Sequence, residues 1–141
     1  MTLNPQARRS FDDYPLHHAL GITLVEARPG YARIVMETSR LTLGGIGGSV
    51  HGGLLAAMVD IVMLKALSAD HEPGDEFAGT AELNISYLRP ALSKRVFAEA
   101  TVIKKGRSLA VTEVSILDEA GRVCARARTT YALRRGASGE A

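Results

Sequence analysis

Hydrophobic and polar residues alternate along most of the chain, and one long stretch breaks the alternation. In residues 31–38, Ala32, Ile34 and Met36 share one face while charged side chains occupy the other, which predicts a half-buried strand. Residues 21–28 precede this strand across a Pro-Gly turn signal, so the two segments predict a β-hairpin. Further strand-like runs occupy residues 77–88, 96–104, 109–117 and 122–133.

The stretch at residues 54–67 predicts a helix that is apolar on nearly all sides. A loop at residues 44–53, with six glycines in ten positions, leads into it. The helix is too short to span a membrane, and Asp60 and Lys65 interrupt it. Because such a helix needs cover on every side, we expect an α+β fold in which an antiparallel sheet wraps around this one long central helix. One sheet cannot cover the whole helix, so we also expect a homodimer.

Length and composition limit the class of protein. With 141 residues, 46% of them hydrophobic and 23% charged, the chain suits one globular domain. The net charge of +2 argues against nucleic acid as a partner, and the four His and one Cys show no metal-ligand spacing. A single cysteine fits a reducing, cytoplasmic compartment. We expect an N-terminal segment at 1–19 with a short helix near 11–19, one domain at 20–133, and a flexible tail at 134–141.

Two features of the helical region indicate a catalytic function. His51, Gly52 and Gly53 open the helix, where unpaired backbone N–H groups and the positive end of the helix dipole can hold a polarised carbonyl oxygen. A glycine-rich connection without that role is the simpler alternative. Asp60 lies in the most apolar segment, which predicts a buried carboxylate suited to act as base or nucleophile. The alternatives are that Lys65 or an arginine pairs with it, or that this face of the helix is solvated. An oxyanion hole and a carboxylate complement each other in a hydrolytic site, so the two features together favour a function.

The segment GIGGSVHGGLLAAMVDIVMLKAL resembles the signature of the hotdog-fold thioesterases, in particular the PaaI-type (phenylacetic acid degradation) acyl-CoA thioesterases. The type and spacing of that family's loop-and-acid pattern are matched by Gly48, His51, Gly52, Gly53 and Asp60. A softer resemblance covers residues 20–133, including TAELNISYLRPA at 80–91 and KKGRS at 104–108.

The resemblance implies a hotdog fold and hydrolysis of an acyl-CoA to a free acid and CoA, with no metal or organic cofactor. It implies that the Gly52 N–H polarises the thioester carbonyl and that Asp60, from the other subunit, is general base or nucleophile. His51 then shapes the loop near the leaving group, and Thr80 positions the water. The implied assembly is a homodimer, and further pairing into a dimer of dimers is expected but leaves dimer versus tetramer open. Residues expected to bind the acyl group, the thioester or the CoA phosphates are Gly45, Gly48, Gly53, Leu54, Met58, Arg89, Lys104, Lys105 and Arg107.

One position departs from the family pattern. Six residues before His51 the family usually carries Asn or Gln, which orients the thioester or the water, whereas this chain has Gly45. Loss of one such group lowers a rate by a factor of about 100 rather than abolishing it. Gly45 also leaves open an alternative function, in which the protein binds acyl-CoA without catalysing a reaction. A hotdog hydratase or dehydratase fits less well, because that chemistry needs a His over the acyl chain. Aromatic, short-chain and medium-chain acyl groups all remain open.

Overall fold

Six antiparallel strands form one sheet against a long helix, which confirms the predicted fold class. The computed structural model describes residues 4–135. The strand order across the sheet is β1-β2-β4-β5-β6-β3. In chain order the elements are α1 (Pro5–Asp12), α2 (Pro15–Leu20), β1 (Ile22–Arg28), β2 (Tyr31–Glu37), α3 (Gly52–Ser68), β3 (Asp75–Tyr87), β4 (Arg95–Lys105), β5 (Leu109–Leu117) and β6 (Val123–Arg135).

Helix α3 contacts all six strands, and the core lies between the helix and the sheet. Each large side chain buried there contributes about 1.5–3 kcal/mol. The strands meet the helix through many small side chains, which let the backbones approach closely and explain the low aromatic content. These fully buried strand alanines are Ala32, Ala98, Ala100, Ala110 and Ala125. The chain's own sheet does not cover the whole helix, since Leu64 is 38% exposed and Ile61 only partly buried.

The N-terminal segment contains two short helices, where the sequence predicted one near residues 11–19. The cap that was overlooked is Asn4, whose side chain accepts a hydrogen bond from the Gln6 N–H at 2.8 Å, before Pro5. The Asp12 carboxylate accepts a hydrogen bond from the Leu24 N–H of β1 at 2.8 Å. The two helices therefore cover the β1 edge of the sheet, which protects it from pairing with other chains.

The opposite edge of the sheet is β3, and within residues 4–135 this strand pairs with β6 alone. Its register shifts twice, between Phe77 and Gly79 and between Thr80 and Glu82. A strand of 13 residues with one unpaired edge offers a row of N–H and C=O groups to a second strand.

The carboxyl end of the domain extends past the predicted boundary at 133. Strand β6 continues to Arg135 because it remains paired with β3, with Asp75 opposite Arg135. The rest of the expected tail, residues 136–141, lies outside the described residues. In the described part of the chain, the helices are all too short or too polar to cross a bilayer.

Candidate active site

The glycine-rich loop holds a defined conformation before α3. The N–H groups of Gly44 and Gly45 donate to the Ser49 carbonyl at 3.1 and 2.9 Å. Between them, residues Ile46–Gly48 form one short 3-10 turn. Gly47 and Gly48 have φ values of 66° and 79°, a region that glycine adopts without strain. Gly48 therefore allows the backbone to turn. This role differs from the substrate contact that the resemblance implies for it.

His51 caps the helix. Its Nδ1 accepts a hydrogen bond from the Gly53 N–H at 2.9 Å, so the neutral ring carries its proton on Nε2. Position 53 is crowded, because a Cβ there would lie 3.1 Å from both Cε1 and Nδ1 of His51. Among the residues that the structure describes, the N–H of Gly52 has no acceptor. One donor thus stays free at the positive end of the helix dipole.

Replacing His51 by alanine is expected to lower the free energy of unfolding by about 1 kcal/mol, because the cap of α3 is lost. His51→Asn keeps a side-chain oxygen that can accept from the Gly53 N–H, so it should retain most of that stability. Urea unfolding of the wild type and both variants, at one protein concentration, measures the difference. Equal losses in both variants would indicate ring packing, rather than the cap, as the source of stability.

Tyr87, at the end of β3, closes over the same helix start. Its hydroxyl donates to the Gly52 carbonyl at 2.8 Å, and a Cβ on Gly52 would lie only 3.3 Å from the tyrosine ring. Tyr87 was not among the predicted site residues, because in the sequence it is only an apolar residue of a strand-like run. The loop, the helix start and residues 87–91 line a cavity of about 370 Å³, here called the helix-start cavity.

Asp60 lies on the side of α3 that the sheet leaves open. It is only half-buried, so the predicted enclosure in the apolar core is wrong for the single chain. Its Oδ1 accepts a hydrogen bond from the Thr80 hydroxyl at 2.7 Å, so the structure brings these two residues together. Burial raises the pKa of the Tyr131 phenol, and the negative charge of Asp60 raises it further. Asp60 therefore lies at the surface of the core, in contact with a hydroxyl.

A second cavity, of about 470 Å³, begins at Asp60 and is here called the acid cavity. Helix α3 supplies one wall with Ile61 and Leu64, and the N-terminal helices supply another with Phe11 and Tyr14. The N-terminal segment thus contributes to a site that the sequence analysis placed entirely within the central domain.

Within one chain the Gly52 N–H and Asp60 are too far apart to act on one carbonyl group. Eight residues separate them along α3, which is about 12 Å at 1.5 Å per residue. Catalysis requires the base and the oxyanion donor each within about 3 Å of neighbouring reacting atoms. One chain therefore carries two incomplete parts of a site, at opposite ends of the first half of the helix.

Two expected substrate contacts do not fit the structure. Met58 is fully buried in the core, so it cannot touch a ligand without displacement of the side chains around it. The Lys105 ammonium pairs with Asp75 at 2.6 Å, and it also donates to the Asp70 carbonyl. With only 13% of the Lys105 side chain and 6% of the Asp75 side chain exposed, this lysine ties β4 to the start of β3 and is not free for a CoA phosphate.

The other predicted substrate residues lie near the surface. Leu54 is partly buried on the first turn of α3, and Arg89 lines the helix-start cavity. Lys104 and Arg107 are exposed beside the β4–β5 turn, and neither forms an ion pair within residues 4–135. The described residues contain no group of three or more His, Cys, Asp or Glu placed to hold a metal ion.

Comparison with known proteins identifies the family of the chain. The family model of the thioesterase superfamily matches residues 47–125, more than half of the chain. Acyl-coenzyme A thioesterase 13 of Homo sapiens is 35% identical over 116 residues, 79% of each protein. The crystal structure of a thioesterase from Haemophilus influenzae has the same fold, with a TM-score of 0.83, 24% identity, and coverage of 96% of this chain and 93% of that chain.

A mutant structure of phenylacetic acid degradation protein PaaI from Thermus thermophilus is also similar. Its TM-score is 0.73 at 28% identity, and the match covers 84% of this chain and 97% of that chain. The resemblance inferred from the loop and Asp60 is thereby confirmed. The chain belongs to the thioesterase superfamily and is a thioester hydrolase of the hotdog fold.

Proposed function

We propose that this protein hydrolyses acyl-CoA thioesters to a free acid and CoA, at sites shared between two copies of the chain. The proposal rests on two groups of α3, each of which is only part of an active site. They are the free Gly52 N–H and the carboxylate of Asp60, which accepts a hydrogen bond from Thr80. The human relative, an acyl-coenzyme A thioesterase by name, supports this class of substrate.

Pairing of two β3 edges brings the parts together. Tyr87 contacts the helix start and Thr80 contacts Asp60, so both parts lie along the same edge strand. A two-fold axis between Leu83 and Asn84 sets position 80 of one strand opposite position 87 of the other in an antiparallel pair. The Gly52 N–H of each subunit then lies beside the Asp60 of its partner, and the dimer holds two sites.

In this site Asp60 takes a proton from a water molecule that the Thr80 hydroxyl helps to hold. The water oxygen attacks the thioester carbon, and the carbonyl oxygen becomes negative while it accepts a hydrogen bond from the Gly52 N–H of the partner subunit. Collapse of this intermediate breaks the C–S bond and releases the CoA thiolate, which takes up the proton. Direct attack by the carboxylate is the alternative, and incorporation of ¹⁸O from water into Asp60 during a single turnover would identify it.

The acyl group is expected to occupy the acid cavity. The cavity starts at the proposed base, and its aromatic and aliphatic walls match the apolar lining of small-molecule pockets. Its volume of about 470 Å³ has room for an aromatic or medium-chain acyl group. A basic residue at the helix-start cavity, Arg89, is available for the phosphates of CoA.

Release of free thiol from acetyl-, hexanoyl-, decanoyl-, benzoyl- and phenylacetyl-CoA tests the proposal. Leu64→Glu, which puts a charge into the wall of the acid cavity, is expected to lower kcat/KM for decanoyl-CoA about tenfold more than for acetyl-CoA. Leu109→Glu, at an exposed leucine outside both cavities, is the matched control and should leave both values unchanged.

Other outcomes would favour the alternatives. If no acyl-CoA is hydrolysed but acyl-CoAs raise the melting temperature, the protein is a binding module. Hydration of crotonyl-CoA would favour a hydratase. An unchanged chain-length preference in Leu64→Glu would contradict the assignment of the acid cavity to the acyl group.

A further inference from the structure

Resting on the proposed acyl-CoA hydrolysis, we infer that the Ser49 hydroxyl is a second oxyanion donor in the helix-start cavity, beside the Gly52 N–H. It would take the place of the amide side chain that the family pattern has at position 45 and that this chain lacks. The inference rests on the burial of Ser49, on its missing hydrogen-bond partner and on its contact with position 45.

Ser49 is a buried polar residue without a hydrogen-bond partner for its side chain. It is only 5% exposed, and none of the described residues donates to or accepts from its hydroxyl. The Ser49 Oγ is not sealed off from solvent, so water can serve as its partner until a ligand enters the cavity. Ser49 lines the helix-start cavity together with Gly45 and Gly52, and a ligand in that cavity can supply the missing partner.

The Ser49 side chain fills the space that a side chain at position 45 would need. A Cβ on Gly45 would lie 2.3 Å from the Ser49 Oγ and 2.7 Å from the Val50 carbonyl oxygen. Distances this short are incompatible with any residue except glycine in this loop conformation. Gly45 and Ser49 are therefore linked, because the absence of a side chain at one position makes room for the hydroxyl at the other.

Backbone hydrogen bonds hold residue 49 in place before a ligand arrives. The Ser49 carbonyl accepts from the N–H groups of Gly44 and Gly45, and its own N–H donates to the Ile46 carbonyl at 3.3 Å. A donor whose position is fixed in advance stabilises a developing negative charge without reorganisation. A thioester oxygen that becomes an oxyanion can accept two hydrogen bonds, one from the Gly52 N–H and one from the Ser49 hydroxyl.

The test is Ser49→Ala, which removes one oxygen atom from the loop. We expect kcat to fall about 10²-fold with little change in KM, because the hydroxyl acts mainly on the transition state. The melting temperature should stay the same, since the variant removes no hydrogen bond to any of the described residues. Ser115→Ala, on the outer face of β5, is the matched control, and both its kcat and its melting temperature should stay unchanged.

The possible results separate this inference from the proposed function. A wild-type protein that hydrolyses no acyl-CoA overturns the function and this inference together. Normal hydrolysis by the wild type, with the kcat of Ser49→Ala within twofold of it, overturns the role of Ser49 alone. A fall in kcat accompanied by a clearly lower melting temperature assigns Ser49 a structural role and also overturns the inference.

Discussion

Replacing Asp60 by asparagine is expected to lower kcat for acyl-CoA hydrolysis by about 10²–10⁴-fold. The amide has nearly the same shape, and its oxygen can still accept the hydrogen bond that the Thr80 hydroxyl donates to the Asp60 Oδ1 at 2.7 Å. The amide cannot take a proton from water, so the chemical step should slow and kcat should fall. KM and the melting temperature should stay nearly unchanged. Thiol release at saturating substrate measures the effect.

Glu72→Gln is the matched control for Asp60→Asn, because it makes the same acid-to-amide change at an exposed residue after α3. Its kcat should equal that of the wild type. If Asp60→Asn keeps kcat within tenfold of the wild type, Asp60 is neither general base nor nucleophile, and another group activates the water.

Gly52→Pro is expected to lower kcat about 10²–10³-fold relative to Gly52→Ala, because it deletes one oxyanion donor. Proline is favoured at the first position of a helix, where its missing N–H breaks no helical hydrogen bond. The preceding residue, His51, has φ −55° and ψ 129°, a conformation that proline permits before it. The alanine variant places the same Cβ 3.3 Å from the Tyr87 ring and keeps the N–H, so the difference between the variants isolates the donor.

Mixing the two inactive proteins tests whether the site is shared. After subunit exchange between Asp60→Asn and Gly52→Pro, about half of the dimers are mixed, and each mixed dimer has one intact site of two. We therefore expect recovery of about a quarter of the wild-type activity. If native mass spectrometry shows mixed dimers and no activity returns, each site is built within a single chain, and the shared arrangement is wrong.

Much of the fold could be predicted from the hydrophobic pattern, because burial imposes that pattern directly. Strand β5 has the predicted bounds, 109–117, and the apolar run at 54–67 forms most of α3. The glycine loop and its place before the helix were equally visible, since no regular element accommodates so many glycines. The N-terminal helices were only partly recognised, because their first cap, Asn4, lies in a polar stretch with no apolar periodicity.

The face on which Thr80 lies could not be predicted from the alternation. Thr80 and Tyr87 are seven positions apart, so strict alternation places them on opposite faces of the strand, yet both side chains contact α3. The register shift between Thr80 and Glu82 reverses the faces at that point. An extra residue in a strand is invisible in composition, and only the neighbouring Gly79, with φ 131°, hints at the irregularity.

The role of Lys105 and the exposure of Asp60 depended on contacts between distant segments. Lys105 meets Asp75 and the Asp70 carbonyl only because β4 ends beside the turn after α3. Asp60 falls on the uncovered side of the helix, and the nearly uniform apolar composition of α3 gave no indication of which side that is. In both cases the sequence identified the charged residue but not its surroundings.

One edge of the sheet is covered by the N-terminal helices and the other is not. This difference limits how large an assembly can grow by strand pairing. At one edge the Asp12 carboxylate accepts from the Leu24 N–H, and at the other edge β3 pairs with β6 alone within residues 4–135. A subunit with one unpaired sheet edge can pair with one other subunit through that edge. A two-fold symmetric pairing uses the free edge of both subunits, so none remains for a third. We therefore expect growth by this route to stop at two copies, with the short helices that line the acid cavity protecting the sheet against open-ended polymerisation into fibres.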